Sequence, residues 1–174
     1  MLIDILKYFV RFIPKDNRSK IFSFGRSDVS GYDDLMKQVL DLEHIESGID
    51  HCCISASFDD VKAFVDTMSG SYLFVDYGEI SCTRGRIGET RESVSMAITV
   101  AFRVNTERSD IAERVLRSDQ MLSSLRDVAS YMKEDSKKHP SLKSISSDYT
   151  FIPFESKELS SIGWTMLFNR DTMR

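Results

Sequence analysis

The stretch "ESVSMAITVAFRV", Glu92–Val104, decides how this chain is read. Its even positions, Val94, Met96, Ile98, Val100, Phe102 and Val104, are all apolar. Its odd positions are Ser93, Ser95, Ala97, Thr99, Ala101 and Arg103. Side chains alternate between the faces of a strand, so this is a strand with one apolar face and one small, hydroxyl-bearing face. The even face predicts packing beneath a covering layer. The odd face suits solvent or close approach by another surface, because small side chains admit a second backbone without burying many unpaired polar groups.

Working outward, "SYLFVDYGEISC" (Ser71–Cys82) is rich in aromatic and β-branched residues and reads as a preceding strand. Between the two lies "TRGRIGETR", Thr83–Arg91, nearly all polar and too long for a tight hairpin turn. A long helix is expected over Asp110–Glu134, with Asp110 and Glu113 as a capping pair and Ile111, Val115, Leu122, Leu125, Ala129 and Met132 at helical spacing. "SKKHPSLKSISSD" then reads as a solvated connector broken by Pro140. A last hairpin follows: "YTFIPF", the loop "ESKELS", and a strand in which Ile162, Trp164, Met166 and Phe168 alternate with Gly163, Thr165 and Leu167.

Upstream, "HCCISAS" predicts a short strand and "SFDDVKAFVDTMSG" a helix capped by Ser57, with Phe58, Val61, Val65 and Met68 on one face and Gly70 at its end. A further helix is expected from Tyr32 to about Ile45, with Leu35, Val39 and Leu42 on one face, after a linker, Lys15–Gly31, that holds a brief strand at Ile21–Phe24. The N-terminal "MLIDILKYFVRFIPKD" is apolar but interrupted by Asp4, Lys7 and Arg11, and no small-residue cleavage site follows, so it reads as a helix ended by Pro14 rather than a secretion signal. Asp4, Lys7, Tyr8 and Arg11 form one narrow polar stripe on it. The wide remaining face needs cover from the chain's own core, another subunit or a membrane surface; own-core packing is the expectation, and subunit contact its rival.

The expected architecture is α+β: an antiparallel β-sheet of Tyr72–Cys82, Val94–Val104, Tyr149–Phe154 and Ile162–Phe168, with the long helix across one face, plus N-terminal helices. Residues 1–50 read as an N-terminal helical appendage and linker, and residues 51–174 as the α+β domain. The chain has 174 residues, 41% hydrophobic and 29% charged, which suits a folded core. Its net charge of -4 offers no global electrostatic case for nucleic acid as the main partner. Cys52, Cys53 and Cys82 make no framework of spaced pairs, which favours reduced thiols in a cytoplasm-like compartment. No apolar run approaches the roughly 20 residues of a membrane helix.

Catalytic signatures are weak. "HCC" places His51 and Cys53 on one side of a strand and Cys52 on the other, so both thiols cannot easily ligate one ion, and buried structural cysteine is the commoner case. His44 belongs to the preceding helix and His139 to the solvated connector. Asp76 and Glu79, three apart on a strand, are expected on opposite faces. No GxGxxG or P-loop is present. No cofactor and no metal is expected, and the chain is expected not to be an enzyme.

The most function-like segment is the 83–91 loop. Arg84, Arg86 and Arg91 against Glu89 give local positive charge on an acidic chain, and arginine is enriched at protein interfaces. A solvated hairpin tip is the alternative.

"FVDYGEISCTRGRIGETRESVSMAITVAFRV", then a long helix, then "FIPFESKELSSIGWTMLF", resembles small tail-region proteins of phages and prophages of Bacteroides-like bacteria. The order of helix, two strands with a long loop, helix and two strands is similar to that of tail-terminator and tail-completion proteins. The resemblance covers about Ser57–Asn169 and leaves out the first 50 residues; "DYGEIS", the alternating strand and "SIGW" carry it, none of them a catalytic signature. It implies a structural protein that assembles with itself as a ring at the end of a tail tube and contacts a tail-tube protein, in the host cytoplasm and then in the virion. In such rings sheets of neighbouring subunits meet, which would make Ser95, Ala97 and Thr99 a subunit-contact face and the Arg-rich loop a contact with the next component. A stand-alone cytoplasmic ligand- or protein-binding module is the alternative, and an enzyme using His51 and Cys53 a third reading.

Overall fold

The computed structural model describes residues 2–22, 25–84, 90–104, 109–138 and 149–168. The elements are α1 (Leu2–Val10), α2 (Lys15–Arg18), a 3-10 turn (Ser19–Phe22), α3 (Tyr32–Asp41), β1 (His51–Ser55), α4 (Phe58–Asp66), β2 (Ser71–Arg84), β3 (Thr90–Arg103), α5 (Ile111–Lys138), β4 (Tyr149–Ser156) and β5 (Ser161–Phe168). The five strands form one sheet in the order β1-β2-β3-β5-β4. The class is α+β, as the periodicity predicts.

The sheet is mixed, which corrects the antiparallel expectation at one edge. β2–β3, β3–β5 and β4–β5 pair antiparallel, but β1 lies parallel to β2, His51 opposite Tyr72 and Ser55 opposite Asp76. A parallel neighbour needs a crossover, and α4 supplies it. Ser57 caps α4 by accepting from the Asp60 N–H, as its sequence predicts. Phe58, placed on its apolar face by spacing, is 46% exposed.

The even face of β3 lies in the main core. Ile98 and Val100 are fully buried there with Leu125, Val128 and Met132 of α5. Phe9, Val10, Phe12, Ile13, Val39 and Ile49 belong to the same cluster, so residues on both sides of position 50 share one core. The polar stripe of α1 is also engaged: Tyr8 Oη donates to Asp135 Oδ2 at 3.1 Å, and Arg11 Nη1 lies 3.5 Å from the same oxygen. Burial, then the neighbouring Asp135 carboxylate, push the Tyr8 phenol well above its ordinary pKa.

On the odd face, α4 covers one end. Ala101 is buried with Val61, Val65, Tyr72 and Leu159, so the close-packed surface against it is this chain's own crossover helix. Ala101 is opposite Gly163 of β5. A Cβ on Gly163 would meet the Val100 carbonyl oxygen and lie 2.6 Å from the Ala101 Cα, both backbone atoms that cannot swing aside. That is why "SIGW" carries its glycine.

Other expectations shift. Ile21 and Phe22 form part of a 3-10 turn rather than a strand, and the remainder of that span, 23–24, lies outside the described residues. α3 stops at Asp41, with Leu42 already extended at ψ 144. α5 is capped by Asp110 Oδ1 accepting from the Glu113 N–H at 2.8 Å, as expected, but runs on to Lys138. The 139–148 connector, with His139 and Pro140, lies outside the described residues. Along α5, Ile111 and Val115 are 83% and 60% exposed, although spacing put them on the core stripe. There the helix meets the sheet through polar groups instead: Arg114 pairs with Glu155, and Trp164 Nε1 donates to Ser118.

Candidate functional site

β2 and β3 are each 14 residues long. β1, however, pairs with β2 only over Tyr72–Asp76, and β5 with β3 only over Ala97–Arg103. Among the described residues, strand pairing beyond those limits is that of the hairpin with itself. Roughly eight residues of β2, about 26 Å at 3.3 Å per residue, therefore project past the sheet as a two-stranded arm. A register shift between Tyr77 and Glu79 marks a bulge at Gly78. It corrects the expectation for the two acids: Asp76 is opposite Ala97 and Glu79 opposite Ser95, two positions of one β3 face.

The arm also shortens the predicted loop. Thr83 pairs with Arg91 and Arg84 with Thr90, so these four positions belong to strands. Arg86 and Glu89 lie outside the described residues, and of Arg84 and Arg91 only the backbone is described.

Of the small face, Ser95 and Ala97 are half-buried, whereas Thr99 is 4% exposed with its Oγ1 2.7 Å from Thr165 Oγ1. Thr99 is sealed inside its own chain and drops out of the contact face. Past Thr99 that face carries Leu167, opposite Ala97, and Ile152, opposite Thr165, both among the exposed aliphatic residues.

His51 and Cys53 share the face of β1 that α4 covers, as strand parity predicts. His51 is buried, its Nε2 3.1 Å from the Ser69 carbonyl oxygen. Burial, then the Lys20 charge, lower its pKa against smaller opposing effects of Ser69 and Asp50. Burial and then Asp60 push the Cys53 thiol up to about 12, and burial drives that of Cys52 higher. Both thiols therefore stay protonated near neutral pH, the form that is neither nucleophile nor metal ligand. Among the described residues, no three His, Cys, Asp or Glu side chains come together as a metal site. Replacing Cys52, Cys53 and Cys82 together by Ala or Ser is expected to cost about 1–3 kcal/mol of stability and to abolish no activity. Urea unfolding and elemental analysis check this; stoichiometric zinc in the purified protein would overturn it.

A cleft of about 490 Å³ opens between the 46–50 segment, the start of β2 and α5. Its charged groups are Glu46, Asp50, Arg117 and Asp127. Asp50 is tied to the fold: its Oδ2 accepts from the Ser71 N–H at 3.0 Å and lies 2.8 Å from Ser71 Oγ, while Asn17 Nδ2 donates to its carbonyl. Gly70, at φ +100, makes room for it, since a Cβ there would lie 2.5 Å from Asp50 Oδ2. The Arg117 guanidinium stacks 4.3 Å over the Phe102 ring. Sequence reading missed this cleft because its walls come from separate segments with no shared local signal.

Arg18 was not singled out by its polar context either. It is fully buried, donating from Nε to the Ile13 carbonyl, from Nη1 to those of Val39 and Leu42, and from Nη2 to that of Glu43. Desolvation lowers its pKa. It serves as a clasp between the end of α1 and the C-terminus of α3.

No helix among the described residues is long and apolar enough to cross a membrane. No protein-family model, curated protein or solved structure matches this chain.

Proposed function

We propose that this chain is a structural, non-enzymatic phage or prophage tail component of the tail-terminator or tail-completion kind, which assembles with copies of itself and contacts a tail-tube protein. The observation that carries the reading is the β2–β3 arm. A hairpin that outruns both neighbouring strands carries backbone edges past the sheet, and such edges pair readily with another chain. The strand ends and the segment that joins them in sequence carry Arg84, Arg86, Glu89 and Arg91, a cationic stretch on a chain of net charge -4. Ser95 and Ala97 lie on the strand that carries the arm, at the part of the sheet next to exposed Leu167. The protein would act in the host cytoplasm before assembly and in the virion after it.

The test is charge reversal at the tip. The Arg84→Glu/Arg86→Glu variant is expected to fold with an unchanged circular dichroism spectrum yet fail to complete tails, because peripheral charges steer association more than they stabilise a domain. Complementation of tails lacking this component, scored by electron microscopy, reads the outcome. Full completion by the double variant would reduce the tip to a solvated turn. The 490 Å³ cleft favours one other reading, a stand-alone ligand- or protein-binding module. Flanking tail-tube, tape-measure or capsid genes would support the tail reading, and a metabolic operon the module.

A further inference from the structure

Support for the β2–β3 hairpin ends on both sides at one rung of the sheet. Asp76 is the outermost residue of β2 paired with β1, opposite Ser55. Ala97, its partner on β3, is the outermost paired with β5, opposite Leu167. One rung further, Tyr77 pairs with Met96, which packs against the main core. The register then skips Gly78 and resumes with Glu79 opposite Ser95. The margin of the sheet and the bulge therefore fall within two residues of each other on β2.

Glycine weakens a strand, so one within it calls for a reason. Gly163 of β5 has one in space, since a Cβ there would strike the backbone of β3. Gly70, which leads into β2, has one in its φ of +100. Gly78 has neither. It is exposed, a Cβ there would meet nothing within 4 Å, and its φ lies outside the left-handed region. An alanine would fit. What glycine keeps over alanine at this point is breadth of φ and ψ, at a residue where the bulge already interrupts the ladder. On one side stands the five-stranded sheet; on the other is a ribbon paired from Glu79–Ser95 to Arg84–Thr90. Two paired bodies joined through one compliant residue have the anatomy of a hinge, which concentrates changes of φ and ψ in a few residues, often small ones.

The geometry points to Gly78 as a hinge on which the arm swings as one ribbon against the sheet. On β3 the pivot lies between Ser95 and Met96, because Met96 is held against the core. The device belongs to the isolated chain and holds whether or not the partner of the arm is a tail protein. It presents the edges of the arm to a partner over a range of angles. A bulge can instead fix a bend, and the two differ in the motion they allow.

The test measures amide residual dipolar couplings on the whole chain, which register reorientation slower than the ps–ns motions seen by order parameters. In wild type, residues 80–84 and 90–94 should fit one alignment of their own, scaled down by at least about a quarter relative to residues 71–76 and 98–103. Gly78→Ala should fold and should bring the arm at least about halfway back to the alignment of the sheet, because alanine narrows the accessible φ and ψ. An arm that shares the alignment of the sheet in wild type is a fixed bend, and the inference fails. Couplings in the arm that fit no single alignment mean fraying rather than swinging, which overturns it too. If Gly78→Ala moves as wild type does, the pivot is elsewhere. If that variant loses its folded spectrum, the glycine is required by the fold and the hinge is again refused.

Discussion

Replacing Ile98 by Asp is expected to leave no folded protein at neutral pH. Ile98 is fully buried in the centre of β3, opposite Val75 on one side and Met166 on the other, in the same cluster as Leu125 and Val128. A carboxylate there has no cationic partner in that cluster, and an unpaired buried charge costs several kcal/mol, on the order of the whole stability of a domain. The sign with pH is fixed. Burial raises the folded-state pKa of the introduced carboxyl above its unfolded value, so between those values the folded chain binds more protons, and any residual fold gains stability as pH falls through the raised pKa. Ile98→Val, which removes one methylene, should cost only about 1 kcal/mol. Circular dichroism and urea unfolding at two pH values check both. A folded, pH-independent Ile98→Asp variant would mean that β3 turns its odd face to the core.

Replacing Arg18 by Met is expected to cost about 3–5 kcal/mol, a loss comparable to removing one partner from a buried charged network. Met fills most of the volume but supplies none of the donors. Four carbonyls, those of Ile13, Val39, Leu42 and Glu43, then lose the guanidinium, and three of them lie at or just beyond the end of α3, where the helix dipole favours a cation. Arg18→Lys should recover only part of the loss, because an ammonium on a single stem cannot address carbonyls on both sides. The measurement is the urea midpoint, expected to fall by about 1–2 M. A change under about 1 kcal/mol would show that water replaces the guanidinium without difficulty.

Much of the fold was legible. The alternation of β3 identified the face that packs under α5, although Thr99 and Ala101 on its other face are buried as well. Ser57 and Asp110 signalled the starts of α4 and α5 through local side-chain to backbone bonds, which need no tertiary partner. The candidate site was legible only in part. Arg84 and Arg91 drew notice as charges in a polar run, but the pairing of Thr83 with Arg91 makes that run the end of an arm.

What the sequence by itself determined is whatever lies within one turn or one pleat: strand parity and helix starts. What only the tertiary structure decided depends on where segments distant in the chain come to lie. Helical spacing alone placed Ile111 and Val115 on the core stripe, yet the first turns of α5 meet the sheet through Arg114 and Ser118, leaving the aliphatic residues in the open. "KDNRSK" reads as part of a linker, yet Arg18 is fully buried, because carbonyls from positions 13, 39, 42 and 43 converge on it and replace the water its charge would otherwise require. The parallel placement of β1 likewise follows from its crossover through α4, which no pattern inside His51–Ser55 encodes. Local periodicity fixes which side of an element is apolar; which part of that side is covered depends on how far its neighbours extend.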